Sequence, residues 1–135
     1  MVQQVEITLP EYKRGFHIIT GQITKALNKL PQKGLLHILI KHTSAALTIN
    51  ENADFDVLTD MEVGINRLAP EEYSYLHHSE GLDDMPAHLK ASLMGASLTI
   101  PITDSKLNLG TWQGIYLCEF RNYAGRRKLV ATIVE

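Results

Sequence analysis

The pattern of polar and apolar residues predicts a single α+β domain with a mostly antiparallel sheet. Apolar residues recur at helical spacing in two segments, and a third segment opens with the Asp and Pro typical of a helix start. The last third of the chain is nearly all strand-like with short turns, and strands joined in this way pair antiparallel. A chain of 135 residues buries a core without disulfides or bound metal, so we expect one domain over residues 1–135.

The first part of the chain predicts four strands and one helix. Residues 5–9 alternate apolar and polar side chains, as a half-buried strand does, and residues 16–20 form a second short strand. Residues 22–30 carry apolar side chains at helical spacing and precede a proline, so we expect a helix there. Two further apolar runs with the length of buried strands are predicted at 35–40 and 45–49.

Two further helices are predicted in the middle of the chain. Residues 50–54 supply capping groups for a helix that ends near Leu68. Its apolar stripe, at the spacing of one helical face, is Val57, Leu58, Met61, Ile65 and Leu68. Asp84 and Pro86 open the next helix, and Gly95 ends it. The strands that follow are predicted at 98–102, around 107, at 114–120 and at 128–134.

Charge and composition exclude several functional classes. The formal net charge is −2, which argues against non-specific binding to nucleic acid or to an anionic membrane. No apolar run approaches membrane-spanning length, and the first residues lack the layout of a signal peptide. The single cysteine, Cys118, cannot form an internal disulfide and fits a reducing compartment. We therefore expect a cytoplasmic protein.

Residues 75–88 contain the densest set of chemically capable side chains. Three histidines, one glutamate and two aspartates fall within these residues. Neutral imidazole binds transition metals, and a carboxylate either binds the metal or holds the second imidazole nitrogen. His42, His77 and His88 make up a candidate three-histidine set, the usual layout of a catalytic zinc site with one open position. The alternative for each histidine is an ordinary hydrogen-bonded role.

Charged residues near these histidines are candidates for catalysis. Glu80 and Asp83 are suited to proton transfer or to orienting an imidazole. Asp83 and Asp84 are also placed to cap the following helix, and capping can be the whole role of Asp84. Arg121 follows an apolar strand, and its planar guanidinium can bind phosphate through two parallel hydrogen bonds.

The chain closely resembles the YjbQ-like family, a secondary thiamine-phosphate synthase family, over nearly its whole length. The motifs that carry the resemblance are long and specific. They are His42-Thr-Ser-Ala-Ala-Leu-Thr-Ile-Asn50-Glu-Asn-Ala-Asp54, Asp60-Met-Glu62, Tyr75-x-His77-x-x-Glu80-Gly-x-Asp83-Asp-Met-Pro-x-His88, Gly95-x-Ser-Leu-x-Ile-Pro101, and Leu109-Gly-Thr-Trp-Gln-Gly114 with Glu119-Phe-Arg121.

The resemblance implies an antiparallel β-sandwich with two to three helices that assembles as a homotrimer. It also implies weak thiamine-phosphate synthase activity, which joins hydroxymethylpyrimidine diphosphate to a thiazole phosphate. The candidate metal ligands and Glu80, Asp83 and Arg121 all fall on motif positions. By the same resemblance, the residues expected to bind substrate are Asn50, Glu51, Asn52, Asp60, Gln113 and Arg121, although the first three are also typical of a turn and a helix cap.

Two functions of different classes follow from these observations. The first is an enzyme that acts on a small phosphorylated metabolite with a divalent metal, zinc being the expected ion and magnesium the alternative for a diphosphate substrate. The second is a non-catalytic module that binds a metal or a small anion. Glu80→Gln would abolish turnover in the enzyme, whereas the module has no turnover to lose.

Overall fold

Eight strands form two antiparallel sheets in the computed structural model, which describes all 135 residues. The strands are β1 (Val2–Thr8), β2 (Gly15–Ile18), β3 (Lys33–Ile40), β4 (Ala45–Glu51), β5 (Ser97–Thr103), β6 (Lys106–Leu107), β7 (Gln113–Glu119) and β8 (Lys128–Val134). The larger sheet has the order β1-β8-β3-β5-β6, and the smaller sheet has the order β2-β7-β4. Every strand pair is antiparallel, as the short connections predict.

The inner faces of the two sheets share one large apolar cluster. Leu36, Ile38 and Ile100 come from the larger sheet, Leu47 and Leu117 come from the smaller one, and all are almost completely buried. Fully burying a side chain of this size contributes about 1.5 to 3 kcal/mol relative to leaving it exposed. This contact between the sheets is therefore the main source of stability, and the predicted sandwich is confirmed.

Two of the three helices cover the outer face of the smaller sheet. The helices are α1 (Thr20–Ala26), α2 (Phe55–Leu68) and α3 (Asp84–Met94). Tyr116 and Cys118 point away from the sandwich core and share a second buried cluster with Ile65 of α2 and Ala87 of α3. Both faces of β7 are thus buried, which accounts for the nearly continuous apolar sequence of this strand. None of the helices is both long and apolar enough to cross a membrane.

Most predicted element limits agree with the structure, and two details differ. The side chain of Asp54 accepts a hydrogen bond from the Asp56 amide and caps α2, as predicted. The first helix ends at Ala26 instead of residue 30, because the chain turns extended at Leu27, which then reaches the core. Leu68 is 72% exposed and does not belong to the buried stripe of α2, since it is the last residue of the helix.

Several connections meet at one end of the sandwich. Ala45, at the start of β4, pairs with Glu119, at the end of β7. The amide of Lys41 bonds to the carbonyl of Lys128, so the β3–β4 connection lies against the start of β8. The loop between α2 and α3 reaches the same place, where the Glu80 carbonyl accepts a hydrogen bond from Arg121. These connections carry most of the charged and histidine residues singled out above.

Candidate functional site

The carboxylate of Asp84 lies at the centre of the site. Its side chain is 2% exposed, and its Oδ2 atom lies 2.6 Å from His77 Nε2 and 3.1 Å from His88 Nε2. Its Oδ1 atom lies 2.9 Å from Arg121 Nη1. A buried carboxylate without partners is strongly unfavourable, so the ion pair with Arg121 and the hydrogen bond with His77 are what allow Asp84 to be charged in the interior.

Helix spacing and one glycine bring the two histidines to Asp84. His88 follows Asp84 by four residues on α3, so both side chains lie on one face of the helix. His77 comes from the loop before α3 and reaches back to the same oxygen. In this loop Gly81 has a φ of +115°, and a Cβ there would lie 3.0 Å from Asp83 Oδ1. A larger residue would therefore strain the turn that returns His77 to the helix.

A backbone carbonyl fixes the orientation of the His88 ring. Nδ1 of His88 lies 2.8 Å from the carbonyl oxygen of Thr43, which can only accept, so Nδ1 carries the proton in this contact. In the neutral ring the lone pair is then on Nε2, the nitrogen that faces Asp84. A histidine that binds a metal through one nitrogen usually donates from the other in this way.

His77, Asp84 and His88 have the spacing of metal ligands. The three facing atoms lie within 4.8 Å of one another. Around a zinc ion with bonds of about 2.0 to 2.1 Å, neighbouring ligand atoms are separated by roughly 3.3 Å in tetrahedral geometry. Two imidazoles and one carboxylate are also a known donor set for catalytic zinc. The residues present therefore fit a divalent transition metal without a large rearrangement.

The guanidinium of Arg121 is occupied by acidic groups. Besides Asp84, it lies 3.3 Å from Asp83 Oδ2 and donates to the Glu80 carbonyl at 2.7 Å. Burial disfavours its charge, but the hydrogen bonds and charge of Asp83, together with Asp84, raise the pKa of Arg121 above its ordinary value. Arg121 thus orients the carboxylates, and in this conformation it has little capacity left for a substrate anion.

The same contacts keep the two aspartates ionised. Burial opposes the charge of Asp84, but hydrogen bonding from His77 and the nearby charge of Arg121 lower the pKa of its carboxyl below the ordinary value. Burial also opposes the charge of Asp83, whereas hydrogen bonds from the Asn122 amide and from Arg121 lower its pKa. The site therefore holds two carboxylates that stay negative at neutral pH.

His42 is not part of the group formed by His77, Asp84 and His88. Its Nε2 accepts a hydrogen bond of 2.8 Å from the Lys128 amide, so this nitrogen is not free to bind a metal. Its predicted role as a ligand stays a prediction, which in this conformation would have to use Nδ1.

Apart from Arg121 and Asp60, the residues expected to bind substrate lie at the opposite end of the β4–β7 pair. Glu51 pairs with Gln113 at that end, whereas Ala45 pairs with Glu119 near the histidines, roughly 20 Å away. Most of their polar groups bond locally: Asn50 to the Glu51 amide, Glu51 to the Asp54 amide, Asn52 to the Gln113 carbonyl, and Gln113 to the Gly110 amide. Asp60 is exposed on α2. One chain does not bring these side chains to the histidines, and their role in substrate binding stays a prediction.

A buried ion pair holds the surroundings of the site together. Arg127 donates to both carboxylate oxygens of Glu119, at 2.8 and 2.6 Å, and both side chains are almost inaccessible. Arg127 also bonds to the hydroxyl of Ser44, and Glu119 accepts from the Arg121 amide. The pair therefore links the end of β7, the start of β8 and the β3–β4 connection that contributes Thr43.

Two parts of the site were missed or misjudged at the level of sequence. Asp84 was expected to act as a helix cap, but neither Asp83 nor Asp84 makes a capping hydrogen bond at α3, and Asp84 is buried at the site. The spacing of Asp84 and His88, four residues apart on a predicted helix, is the signal that could have found it. The ion pair between Glu119 and Arg127 joins two strands across a turn, and no local sequence pattern predicts it.

The Glu119–Arg127 pair gives a test of this arrangement. We expect Arg127→Met to lower the free energy of unfolding by about 3 to 5 kcal/mol, because it leaves a buried carboxylate without its counter-ion. Urea unfolding followed by circular dichroism measures this change. The control is Lys41→Met, which removes the exposed pair between Lys41 and Glu6 and should have a much smaller effect.

A double variant, Arg127→Met with Glu119→Gln, should recover part of the loss, since no uncompensated charge is then buried. Equal stability of the Arg127 and Lys41 variants would contradict the role given to the pair.

Comparison with known proteins agrees with the motifs. The profile of the family described as UPF0047 protein YjbQ-like matches residues 5–135. UPF0047 protein YjbQ of Salmonella typhimurium is 50% identical over 135 residues, 98% of each chain. The protein of the same name from Escherichia coli O157:H7 is 45% identical with the same coverage.

Solved structures share the fold. An uncharacterized conserved protein of the YjbQ/UPF0047 family from Clostridium acetobutylicum has a TM-score of 0.83 and 39% identity, covering 96% of this chain and 99% of its own. A conserved hypothetical protein from Thermus thermophilus has a TM-score of 0.82 and 33% identity, covering 93% of this chain and 97% of its own. The resemblance seen in the motifs is thus confirmed over residues 5–135, and this protein belongs to the UPF0047 family of YjbQ-like proteins.

Proposed function

We propose that this protein binds one divalent metal ion, zinc in the simplest case, and acts on a small phosphorylated metabolite at that site. The observation that carries the proposal is the meeting of His77 Nε2, His88 Nε2 and Asp84 Oδ2 at one point. Three protein ligands leave a coordination position open, as catalytic zinc sites do. Bound there, the ion would polarise an oxygen of the phosphorylated ligand.

The residues around the ligands have separate tasks in this proposal. The Thr43 carbonyl holds His88 so that its Nε2 lone pair faces the ion. Arg121 occupies the other oxygen of Asp84 and keeps that carboxylate in place. The Glu80 side chain is largely exposed and its Oε2 lies 3.5 Å from His77 Nε2, so it is the acid or base best placed to exchange protons with solvent.

The reaction we propose is the condensation implied by the family resemblance. The thiazole nitrogen would bond to the methylene carbon of hydroxymethylpyrimidine diphosphate, while the bond from that carbon to the diphosphate oxygen breaks and pyrophosphate leaves. Negative charge builds on the leaving oxygens, so a nearby cation lowers the barrier. Arg121 is already bonded to Asp83, Asp84 and the Glu80 carbonyl, so little of its guanidinium is left to stabilise the leaving pyrophosphate. The chain also has no glycine-rich phosphate loop. Turnover should therefore be slow.

A non-catalytic module is the second candidate, and the state of Arg121 favours it. A guanidinium already bonded to Asp83, Asp84 and the Glu80 carbonyl stabilises a static metal site more readily than a leaving group. Such a protein would bind a metal or a small anion without turnover.

We further propose that the protein assembles as a homotrimer. Large apolar side chains such as Phe55, Leu76 and Trp112 are between 66% and 100% exposed, and a neighbouring subunit would cover part of this surface. Asn52 and Gln113 lie at the far end of β4 and β7, away from the histidines of their own chain. In a trimer they could lie next to the histidine site of a neighbouring subunit.

The metal proposal predicts about one zinc ion per chain in protein purified without chelators. Asp84→Asn and His88→Ala should weaken zinc binding at least about tenfold, because even residues that only support a ligand contribute about 10- to 100-fold to metal affinity. Elemental analysis and competition with a chromogenic chelator measure the metal content and the affinity.

The matched control is His78→Ala, which removes an exposed histidine of the same loop and should leave the metal content unchanged. Negligible metal in both the wild type and the Asp84 variant would refute the metal centre.

The reaction proposal predicts slow thiamine-phosphate formation by protein from a host that lacks its own synthase. Arg121→Ala should reduce the rate at least about tenfold, or about 1.4 kcal/mol, because Asp84 then loses the group that orients it. Arg126→Ala is the control, since Arg126 bonds to the Leu9 carbonyl instead of to the site.

The absence of product, or equal rates for the wild type and the Arg121 variant, would count against the condensation and in favour of the binding module. The metal content would still be decided by the previous experiment.

The trimer proposal predicts a mass in solution of three times the 15.1 kDa chain. Light scattering coupled to size exclusion measures it at micromolar concentration. Trp112→Ser should shift the equilibrium toward smaller species if this exposed side chain lies in the contact. A wild type that elutes and scatters as a monomer would overturn the proposal.

A further inference from the structure

A groove of about 530 Å³ lies beside the proposed metal centre, against His88. One wall is the β3–β4 connection, with His42 and Thr43, and the other is α3, with His88 and Ser92. The remaining lining residues are three alanines and a glycine, which carry no charge. This volume lies within the range of about 300 to 1,000 Å³ that is typical of small-molecule sites.

His42 lines this groove, and its ring keeps one hydrogen-bond donor that no protein group uses. Its Nε2 accepts from the Lys128 amide, so in the neutral ring the proton is on Nδ1. No protein group bonds to this Nδ1. The N–H is therefore available to a ligand, and its direction is fixed by the backbone of a neighbouring strand.

Burial and the charges around His42 keep its ring neutral, so Nδ1 keeps its single N–H. Burial, then the charge of Arg127, lower the pKa of His42, with Lys128 and Lys41 adding to the effect and Glu119 alone opposing it. Three cations and one carboxylate thus act on the ring.

Arg121 does not compete for this role, because its guanidinium is bonded to Asp83 and Asp84. The hydroxyl-bearing side chains Thr43 and Ser92 line the groove with His42 and can supply further donors. A phosphate has enough acceptor oxygens to use all of them at once.

We propose that this groove binds a phosphate group of the ligand through the Nδ1–H of His42, so that the rest of the ligand extends past His88 toward Asp84. The proposal deepens the proposed function, on which it rests for the identity of the reacting end. It gives His42 a different task from the metal ligation expected at the level of sequence, and it makes His42 a specificity residue for phosphorylated compounds.

Nuclear magnetic resonance of the unmodified protein tests the first half of the inference. In ring nitrogen spectra of ¹⁵N-labelled protein, His42 should be the neutral tautomer with the proton on Nδ1. Titration with inorganic phosphate should shift its Nδ1 resonance, while titration with chloride should not. A proton on Nε2, or an Nδ1 resonance unmoved by phosphate, would overturn the inference without use of any variant.

Two substitutions test the second half, with phosphate affinity measured by calorimetry and zinc content by elemental analysis. In His42→Gln the side-chain carbonyl can accept from Lys128, but no donor stands at the Nδ1 position, so phosphate affinity should fall about tenfold, or 1.4 kcal/mol. His42→Asn places its amide near the Nδ1 position and should stay within about threefold of the wild type. Both variants should keep the zinc content of the wild type.

The outcomes separate this inference from the metal proposal. Unchanged phosphate affinity in His42→Gln overturns the inference, and so does a loss of zinc in that variant, which would make His42 a ligand. If the wild type holds no zinc but its phosphate affinity depends on His42, the metal proposal fails and the groove proposal stands.

Discussion

The arrangement of the site depends on the buried ion pair between Glu119 and Arg127. Moving two charges out of water costs several kcal/mol each, and only a complete set of partners offsets this. Here Arg127 donates to both oxygens of the Glu119 carboxylate and also to the hydroxyl of Ser44. Glu119 accepts a further hydrogen bond from the Arg121 amide. Because Glu119 ends a strand of one sheet and Arg127 precedes a strand of the other, the pair fixes how the two sheets meet. Thr43 and Arg121 lie on the connections beside this pair, so their positions depend on it.

A second buried cation fixes the helix that carries Asp84. Lys90 is 1% exposed, bonds to the Asn66 side chain of α2 and lies with its ammonium 5.7 Å from the centre of the Phe120 ring. Burial, and then the charge of Arg14, lower the pKa of Lys90, while Glu62 acts against them. An ammonium held in this way resists sliding of α3 along the sheet. Since Asp84 lies six residues earlier on the same helix, the anchor at Lys90 also limits how far the carboxylate can move from its partners.

The fold could be predicted from the sequence because its determinants are local. Apolar periodicity, the cap at Asp54 and the glycine at the end of α3 each act within a few residues, and the corresponding elements agree with the structure. The centre of the site could be predicted only in part. The sequence singles out His77 and His88, which the structure brings together, but it favours a capping role for Asp84, because an aspartate before a helix is usually a cap. Its burial depends on Arg121, which lies 37 residues further along the chain, and no local pattern encodes that contact.

His42 and His88, which both line the groove, show most clearly that distant contacts cannot be predicted from a local sequence pattern. His88 faces a carbonyl 45 residues away in the chain, which makes its Nδ1 a donor and leaves the Nε2 lone pair toward Asp84. His42 faces an amide 86 residues away, which makes its Nε2 an acceptor and leaves an N–H on Nδ1. Two residues of one type on one groove thus present opposite chemistry, a lone pair suited to a cation and a donor suited to an anion. Backbone groups of distant strands and loops decide which nitrogen of each ring carries the proton, so the sequence alone does not show which chemistry either histidine presents.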